Sequence, residues 1–228
     1  MRYTTGKKSF SWSYSKLKNY RTCPKRYYLI DIEKKYQEDN QNNEALKWGD
    51  HVHKSFAARI GKGVAFPTDL IGFEEAAQRL LAVPGTKLVE QQLAIREDLS
   101  PCEWFAKDAW FRSIADYLCI NPPVALAIDY KTGKIIEDSE QLALMAECVF
   151  SHYPEIQAVR TEFWWLKDDA ATRKDYRRDN RKETWRAVLP EVMTLKNAHD
   201  TMTFPPKQSG LCRNHCIVTE CPFHGGAN

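Results

Sequence analysis

Asp129 and Lys131 stand two residues apart in Ala127-Ile128-Asp129-Tyr130-Lys131-Thr132-Gly133. The preceding run, Val124-Ala125-Leu126-Ala127-Ile128, is continuously apolar, the pattern of a central strand buried on both faces. Side chains alternate along a strand, so Asp129 and Lys131 share one face and Tyr130 takes the other. An acid able to hold a divalent cation then lies beside a lysine able to hold a water or a phosphate oxygen, and phosphodiester hydrolysis needs both. Asp116, thirteen residues earlier, sits where a preceding strand would return past them. Asp-x-Lys is also common as a solvated surface pair worth little. Charges that close a buried strand, by contrast, are expensive unless they are paired or used.

The cysteines carry the second signal. There are seven, an odd number, and in a reducing compartment clustered cysteines point to metal rather than disulfides. Cys102, Cys119 and Cys148 are scattered singly and read as small buried hydrophobes. Cys212-x3-Cys216-x4-Cys221 lies amid Gly210, Asn214 and Pro222, a composition suited to thiolates on a tight loop. With His215 or His224 it would make a local Cys3His zinc site. With Cys23 as fourth thiolate it would suit an iron–sulfur cluster that joins the two ends of the chain. The spacing leaves both metals open.

Other residues are weaker candidates. Gly49-x3-His53 lies on a helical stretch, and a lone helical histidine with apolar neighbours is as well explained by packing as by ligation. Glu90, inside a strand, could be a metal ligand, a supporting acid or an exposed charge. Gln141, at a helix start, could bond a catalytic group or face water. Residues 167–186 hold eight Lys/Arg and five Asp/Glu with Tyr176 and Trp185 interleaved. Arg173, Lys174, Tyr176, Arg177, Arg178 and Arg181 are the candidate nucleic-acid contacts there, through phosphate neutralisation and base stacking. A salt-bridged, solvated helix explains the same composition. Ser13-x-x-Lys16 and Lys131-Thr132-Gly133 imitate two signatures of serine β-lactamases, but the Ser-Asp-Asn element between them is missing.

The elements that must position these residues follow from periodicity and breakers. Ser13 caps a short helix that stops at Cys23-Pro24. A polar stretch from Gln37 to Asn43 reads as a loop. Residues 44–60 form a helix ended by Gly61-Lys62-Gly63, and 73–81 a second. Residues 87–96, 109–120, 124–131 and 157–167 read as strands, with Asn121-Pro122-Pro123 as a turn. Residues 139–150 are helical, and the basic segment 173–186 reads as the start of a helix that runs on to His199, bent at Pro190.

The 228 residues suffice for one large domain, and 43% apolar content can fill its core. Net charge is +3, which permits nucleic-acid binding without demanding it. No apolar run approaches the roughly 20 residues of a membrane span, and residues 1–8 lack the apolar core of a signal peptide. The expected location is the cytoplasm, with no membrane partner. The expected fold is α/β: a central mixed sheet flanked by helices.

In order along the chain, Ser15-x-Leu17-x-x-Tyr20-x-x-Cys23-Pro24-x-x-Tyr27, Gly49-x3-His53, Asp116, Asp129-Tyr130-Lys131-Thr132-Gly133 and Gln141-Leu142 resemble the RecB-like branch of the PD-(D/E)XK nucleases. One early and three late cysteines are similar to the iron–sulfur members of that branch, which include the CRISPR-adaptation exonucleases and the AddB-type nuclease domain. The compact size also looks like the stand-alone exonucleases that phages carry. Ser113 stands where the family often has glycine, and Met145 where it usually has tyrosine. The tail spacing is C-x3-C-x4-C where the family often has C-x2-C-x5-C.

The resemblance implies a restriction-endonuclease-like core over about 44–200. The N-terminal helix (13–30) and the C-terminal tail (204–224) would be joined by the cysteines as a small helical subdomain of one nuclease domain. It implies His53, Asp116, Asp129 and the Tyr130 carbonyl as ligands of Mg²⁺ or Mn²⁺. Lys131 would orient the attacking water and stabilise charge on the phosphate, Gln141 would stand at the mouth and steady Lys131 or the substrate, and Cys23, Cys212, Cys216 and Cys221 would bind a [4Fe–4S] cluster. The implied activity is exonucleolytic hydrolysis of DNA that is single-stranded or has free ends. A second copy of the chain, or recombination and replication proteins, are the partners it allows. A DNA-binding module of weak or no activity, with a structural iron–sulfur or zinc site, is the alternative from another class.

Overall fold

The chain enters its main sheet through a turn that only glycine can make. Gly85 has φ +126°, and a Cβ there would lie 2.5 Å from the Ile120 carbonyl oxygen. The computed structural model describes residues 10–37, 43–136 and 138–226. Residues 1–8, read for a leader, and most of the polar stretch 37–43 lie outside the described residues.

In chain order the elements are β1 (Trp12–Ser13), α1 (Tyr14–Thr22), α2 (Pro24–Tyr27), α3 (Glu44–Lys62), α4 (Glu74–Ala82), β2 (Thr86–Ile95), β3 (Pro101–Cys102), β4 (Phe111–Asn121), β5 (Val124–Lys131), α5 (Ser139–His152), β6 (Ala158–Trp165), β7 (Ala170–Arg177), α6 (Arg181–Thr201) and α7 (Leu211–Asn214). The described residues fall into two compact units, one of 10–11 and 43–184, the other of 12–37 and 185–226.

The first unit is built on the sheet β3-β2-β4-β5-β6-β7. β5 is its centre, antiparallel to β4 and parallel to β6, so the sheet is mixed. α5 makes the crossover from β5 to β6 that a parallel pair requires. Its Leu142, Leu144, Met145, Ala146, Cys148, Val149 and Phe150 are all buried. α3 and α4 supply the core of the other face, where Val52, Phe56, Ile60 and Leu80 pack with Tyr117, Cys119, Ile128 and Tyr130. The expected α/β fold, a mixed sheet flanked by helices, is the one found. Asn43 caps α3 by accepting the Ala45 and Leu46 N–H groups, and Gly63 ends it in the left-handed region at φ 70°.

One expected element is wrong. The basic segment does not begin a helix at Arg173. Residues 170–177 form strand β7 at the sheet edge, a 3₁₀ turn follows at Arg178–Asn180, and α6 starts at Arg181. Register with β6 decides the matter. Arg160 pairs with Asp175 across the ladder and Glu162 with Arg173, so opposite charges face each other on adjacent strands. The charges that suggested a solvated helix are the cross-strand rungs of a strand.

In the second unit, Ser13 Oγ accepts the Lys16 N–H at 3.4 Å to cap α1, and Cys23-Pro24 ends that helix and starts α2. Residues 28–32 continue as a wider, π-type turn. Tyr27 is fully buried, and its hydroxyl meets His199 Nε2 at 2.9 Å. Tyr28 stacks on Phe204 with ring centroids 4.7 Å apart. The Lys25 N–H donates to the Pro205 carbonyl at 3.2 Å, so the early and late segments of the chain are paired by backbone as well.

Candidate active site and four-cysteine pocket

β4 and β5 part company at one place. Their ladder runs from Asn121↔Val124 to Tyr117↔Ile128 and stops there, while β5 stays paired with β6 up to Lys131↔Trp165. Asp116 and Asp129 are the next residues past the last rung, on the lips of the fork. Both are buried, at 8% and 7% exposure. The Tyr130 N–H, left without a β4 partner, donates to Asp116 Oδ2 at 2.6 Å.

The remaining candidates converge on these two acids. Lys131 Nζ lies 2.9 Å from both carboxylate oxygens of Asp129 and 3.4 Å from Gln141 Oε1. Gln141, in the first turn of α5, donates Nε2 to Asp129 Oδ2. The Lys131 ammonium also sits 4.7 Å above the Phe163 ring, a cation–π contact that fixes it from below. From α3, His53 Nδ1 reaches Asp116 Oδ1 at 3.2 Å. Gly49, one turn before His53, makes this approach possible: a Cβ there would be 3.3 Å from Thr132 Oγ1, at the end of β5. The Tyr130 ring points to the other face, against Phe56 at 4.4 Å and His53 at 5.9 Å.

Glu90 belongs to the same group, which its neutral reading in the sequence did not establish. One ligand atom each from His53, Glu90 and Asp116 lie within 4.8 Å of one another. Glu90 would oppose Asp116 in the β2–β4 register, but that rung is absent and Glu90 takes φ 49°, in the left-handed region. A glutamate held there inside a strand is strained, and such strain collects at functional sites. Only the register shows this grouping: Glu90 lies as far before the Gln91↔Ala115 rung as Asp116 lies beyond it, and no signal in the sequence gives that register.

Crowding of acids sets the electrostatics. Burial pushes the Asp129 carboxyl up to about 6; Asp116 adds to the rise and Lys131 opposes it. Burial, then the charge of Asp116, raises Glu90. Burial alone would lower His53, but its hydrogen bond to Asp116 and the charges of Asp116, Asp129 and Glu90 outweigh that and leave it raised. Two carboxylates and an imidazole, Glu90, Asp116 and His53, held this close are a donor set that a hard divalent cation can take, while Asp129 stands outside that group and is bonded by Lys131 and Gln141.

The six basic-segment candidates separate. Arg173 donates to the buried Glu162 at 3.1 Å, and Tyr176 donates its hydroxyl to the Ser139 carbonyl at 3.1 Å. Lys174 and Arg177 are exposed on β7. Arg178 donates to the carbonyls of Ile156, Phe150 and Tyr153 at 2.7–2.9 Å. Arg181 bonds Glu147 Oε2 at 2.8 Å and Ser151 Oγ at 2.7 Å. The last two tie α5 to the segment that follows β7.

In the second unit, Cys23, Cys212, Cys216 and Cys221 line one small pocket with Lys25, Arg26 and Lys207 at its wall. Two sulfurs accept backbone N–H groups: Cys23 from Lys207 and Cys212 from Ser209, each at 3.4 Å. Cys102, Cys119 and Cys148 lie elsewhere, the last two buried.

Comparison with known proteins follows the same lines. Residues 11–119 match the family model described as the PD-(D/E)XK nuclease superfamily. The match includes His53, Glu90 and Asp116 and stops ten residues before Asp129. A solved structure from Eubacterium rectale, named only as a candidate exonuclease, is similar at TM-score 0.51 and 14% identity, over 97% of this chain and 94% of that one. The crystal structure of SSO0001 aligns at TM-score 0.49 and 14% identity, over 96% of this chain and 89% of that one. No curated protein matches by sequence. Among the described residues no helix is long and apolar enough to cross a membrane.

Proposed function

We propose that the protein is a Mg²⁺- or Mn²⁺-dependent deoxyribonuclease, an exonuclease on single-stranded or end-containing DNA. The observation that carries this reading is the fork between β4 and β5, which holds Asp116 and Asp129 side by side with Lys131, Gln141 and His53 converging on them. The match of residues 11–119 to the nuclease superfamily supports it. His53, Asp116, Asp129 and the Tyr130 carbonyl would hold the cation, with Glu90 completing the donor set. A bound divalent cation polarises a phosphate oxygen and lowers the pKa of a bound water.

The chain's own residues do the rest. The Tyr130 N–H fixes the rotamer of Asp116, and Gln141 fixes Asp129. Lys131 brings positive charge to the place where charge builds on a phosphate during hydrolysis, beside the largely buried Asp129. Phe163 beneath the ammonium and Gln141 beside it limit its motion.

The cysteine pocket would hold a [4Fe–4S] cluster or, as the alternative, a zinc ion. Four thiolates line it and amide N–H groups point at two of the sulfurs. The cluster would be a clip between the early and late segments of the chain.

The test is cleavage of linear and circular single-stranded DNA with Mn²⁺, wild type beside Lys131→Ala. Lysine-dependent loss of the linear form alone supports the exonuclease. Loss of both forms makes it an endonuclease, and loss of neither removes the hydrolase reading.

A further inference from the structure

Several segments at the end of the sheet that carries Asp129 and Lys131 expose apolar side chains. β4 runs antiparallel to β5, so the Phe111 end of β4 lies at the Lys131 end of β5. β2 is antiparallel to β4 with Ile95 opposite Phe111, so the connection 96–110 leaves from that same end. Residues 132–136 leave from it too, and the closeness of Gly49 to Thr132 brings the first turns of α3 there.

These three segments expose large apolar groups. Trp48 on α3 is 41% exposed, Phe105 on the 96–110 connection 87%, and Ile135 and Ile136 after β5 51% and 55%. Ile114, two residues before Asp116 on β4, is 41% exposed. Apolar side chains scattered singly over a surface need no explanation, but several at one end of a sheet do. The Trp48 ring lies 5.9 Å from that of His51 on the same helix. Lys134 precedes Ile135, so a cation accompanies the apolar groups.

Resting on the nuclease reading above, we infer that this rim is a stacking platform for unpaired bases. Trp48 and Phe105 act as positioning residues that select a single-stranded end. Aromatic side chains bind any base through its π-face, which suits a site without sequence preference. In a duplex those faces are already stacked on one another and hidden. The occupant is nucleic acid rather than a protein partner because the same end of the sheet carries the acid–lysine cluster. A phosphate delivered to that cluster brings its neighbouring bases onto the rim.

The test is binding in EDTA of a fluorescent single-stranded 15-mer and of the blunt duplex of the same length, by anisotropy, for wild type, Trp48→Ala, Trp48→Phe and Phe105→Ala. Steady-state cleavage of the single strand with Mn²⁺ is measured in parallel. Trp48→Ala is expected to weaken single-strand binding about tenfold and to raise KM with kcat little changed. Trp48→Phe restores both, and duplex binding stays the same throughout.

Equal loss on single strand and duplex overturns the inference, as does no loss from either alanine variant. A wild-type dimer that Trp48→Ala converts to monomer makes the rim a self-association face and also overturns it. Wild-type protein that cleaves nothing yet binds single strands through Trp48 removes the nuclease reading and leaves the platform standing. Cleavage indifferent to Trp48 and Phe105 does the reverse.

Discussion

Asp116 Oδ2 accepts the backbone N–H of Tyr130 at 2.6 Å, across the gap where β4 and β5 separate. The acid therefore substitutes for the missing rung of the ladder as well as facing the site. The two duties separate on substitution. Asp116→Asn can still accept from Tyr130 through its amide oxygen, so it is expected to unfold like wild type in EDTA. It should lose at least about a hundredfold in Mn²⁺-dependent cleavage. Asp116→Ala loses activity too and leaves a buried N–H unpaired, at about 1–3 kcal/mol of stability. Denaturant titrations beside a cleavage assay measure both. Equal stability of the two variants would show that the Tyr130 bond contributes nothing.

The acids of the site make stability depend on pH in a definite direction. Asp129 holds its proton up to about 6 in the folded protein, against about 3.9 when unfolded. Folding therefore takes up a proton between these values, and stability is lost as pH rises through the window, by up to about 3 kcal/mol. Glu90 is also raised and acts in the same direction. His53, raised as well, gives stability that is complete below its unfolded value and lost as pH climbs through its folded one. Thermal unfolding in EDTA should show Tm falling from pH 4 towards pH 7. Mn²⁺ should restore more of it at pH 7 than at pH 5, since the cation competes with those protons. A flat or rising Tm in EDTA contradicts the buried, proton-retaining Asp129.

Cys23 is expected to be indispensable to the pocket and Cys148 dispensable. Protein purified without oxygen should be brown, with broad absorbance near 400 nm on the order of that of one cluster per chain. Cys23→Ala should be colourless and easily proteolysed in its first and last segments, while Cys148→Ala keeps its colour. Stoichiometric zinc with no iron would replace the cluster by a structural zinc site.

Arg178 and Arg177 are neighbours in sequence with opposite fates. Arg178 holds three carbonyls around the end of α5, whereas Arg177 is exposed. Arg178→Ala should destabilise the protein by about 2–3 kcal/mol, the range for charge-assisted bonds whose partners stay buried. Arg177→Ala should leave stability within about 0.5 kcal/mol and lower the salt dependence of DNA binding. Unfolding curves and titrations at several salt concentrations separate the two.

Legibility differed from element to element. β5 was readable because its apolar run has one physical meaning, a strand covered on both faces, and the acid and lysine at its end followed from alternation. The convergence of Gln141 and His53 was accessible only through resemblance, since no local pattern says that α5 and α3 begin at the same end of a sheet. Glu90 was visible but undecided: its neighbourhood is set by a rung that fails to form, and a backbone conformation is not written in a side-chain pattern. β7 was misread because cross-strand charge pairs and helical salt bridges have the same composition. Cysteine spacing marked the pocket, while the N–H groups of Lys207 and Ser209 that face its sulfurs belong to residues whose types carry no signal.

The four-cysteine pocket also bears on the order in which segments of the molecule can fold. Cys23 and Cys221 line the same pocket, and Cys221 is synthesised 198 residues after Cys23. Residues 43–184 have by then left the ribosome with all their sheet partners and can fold as a unit. The opening helices must wait for theirs. A chain cut short before residue 185 would carry the strands of the sheet but lack the later segment with which residues 12–37 pack.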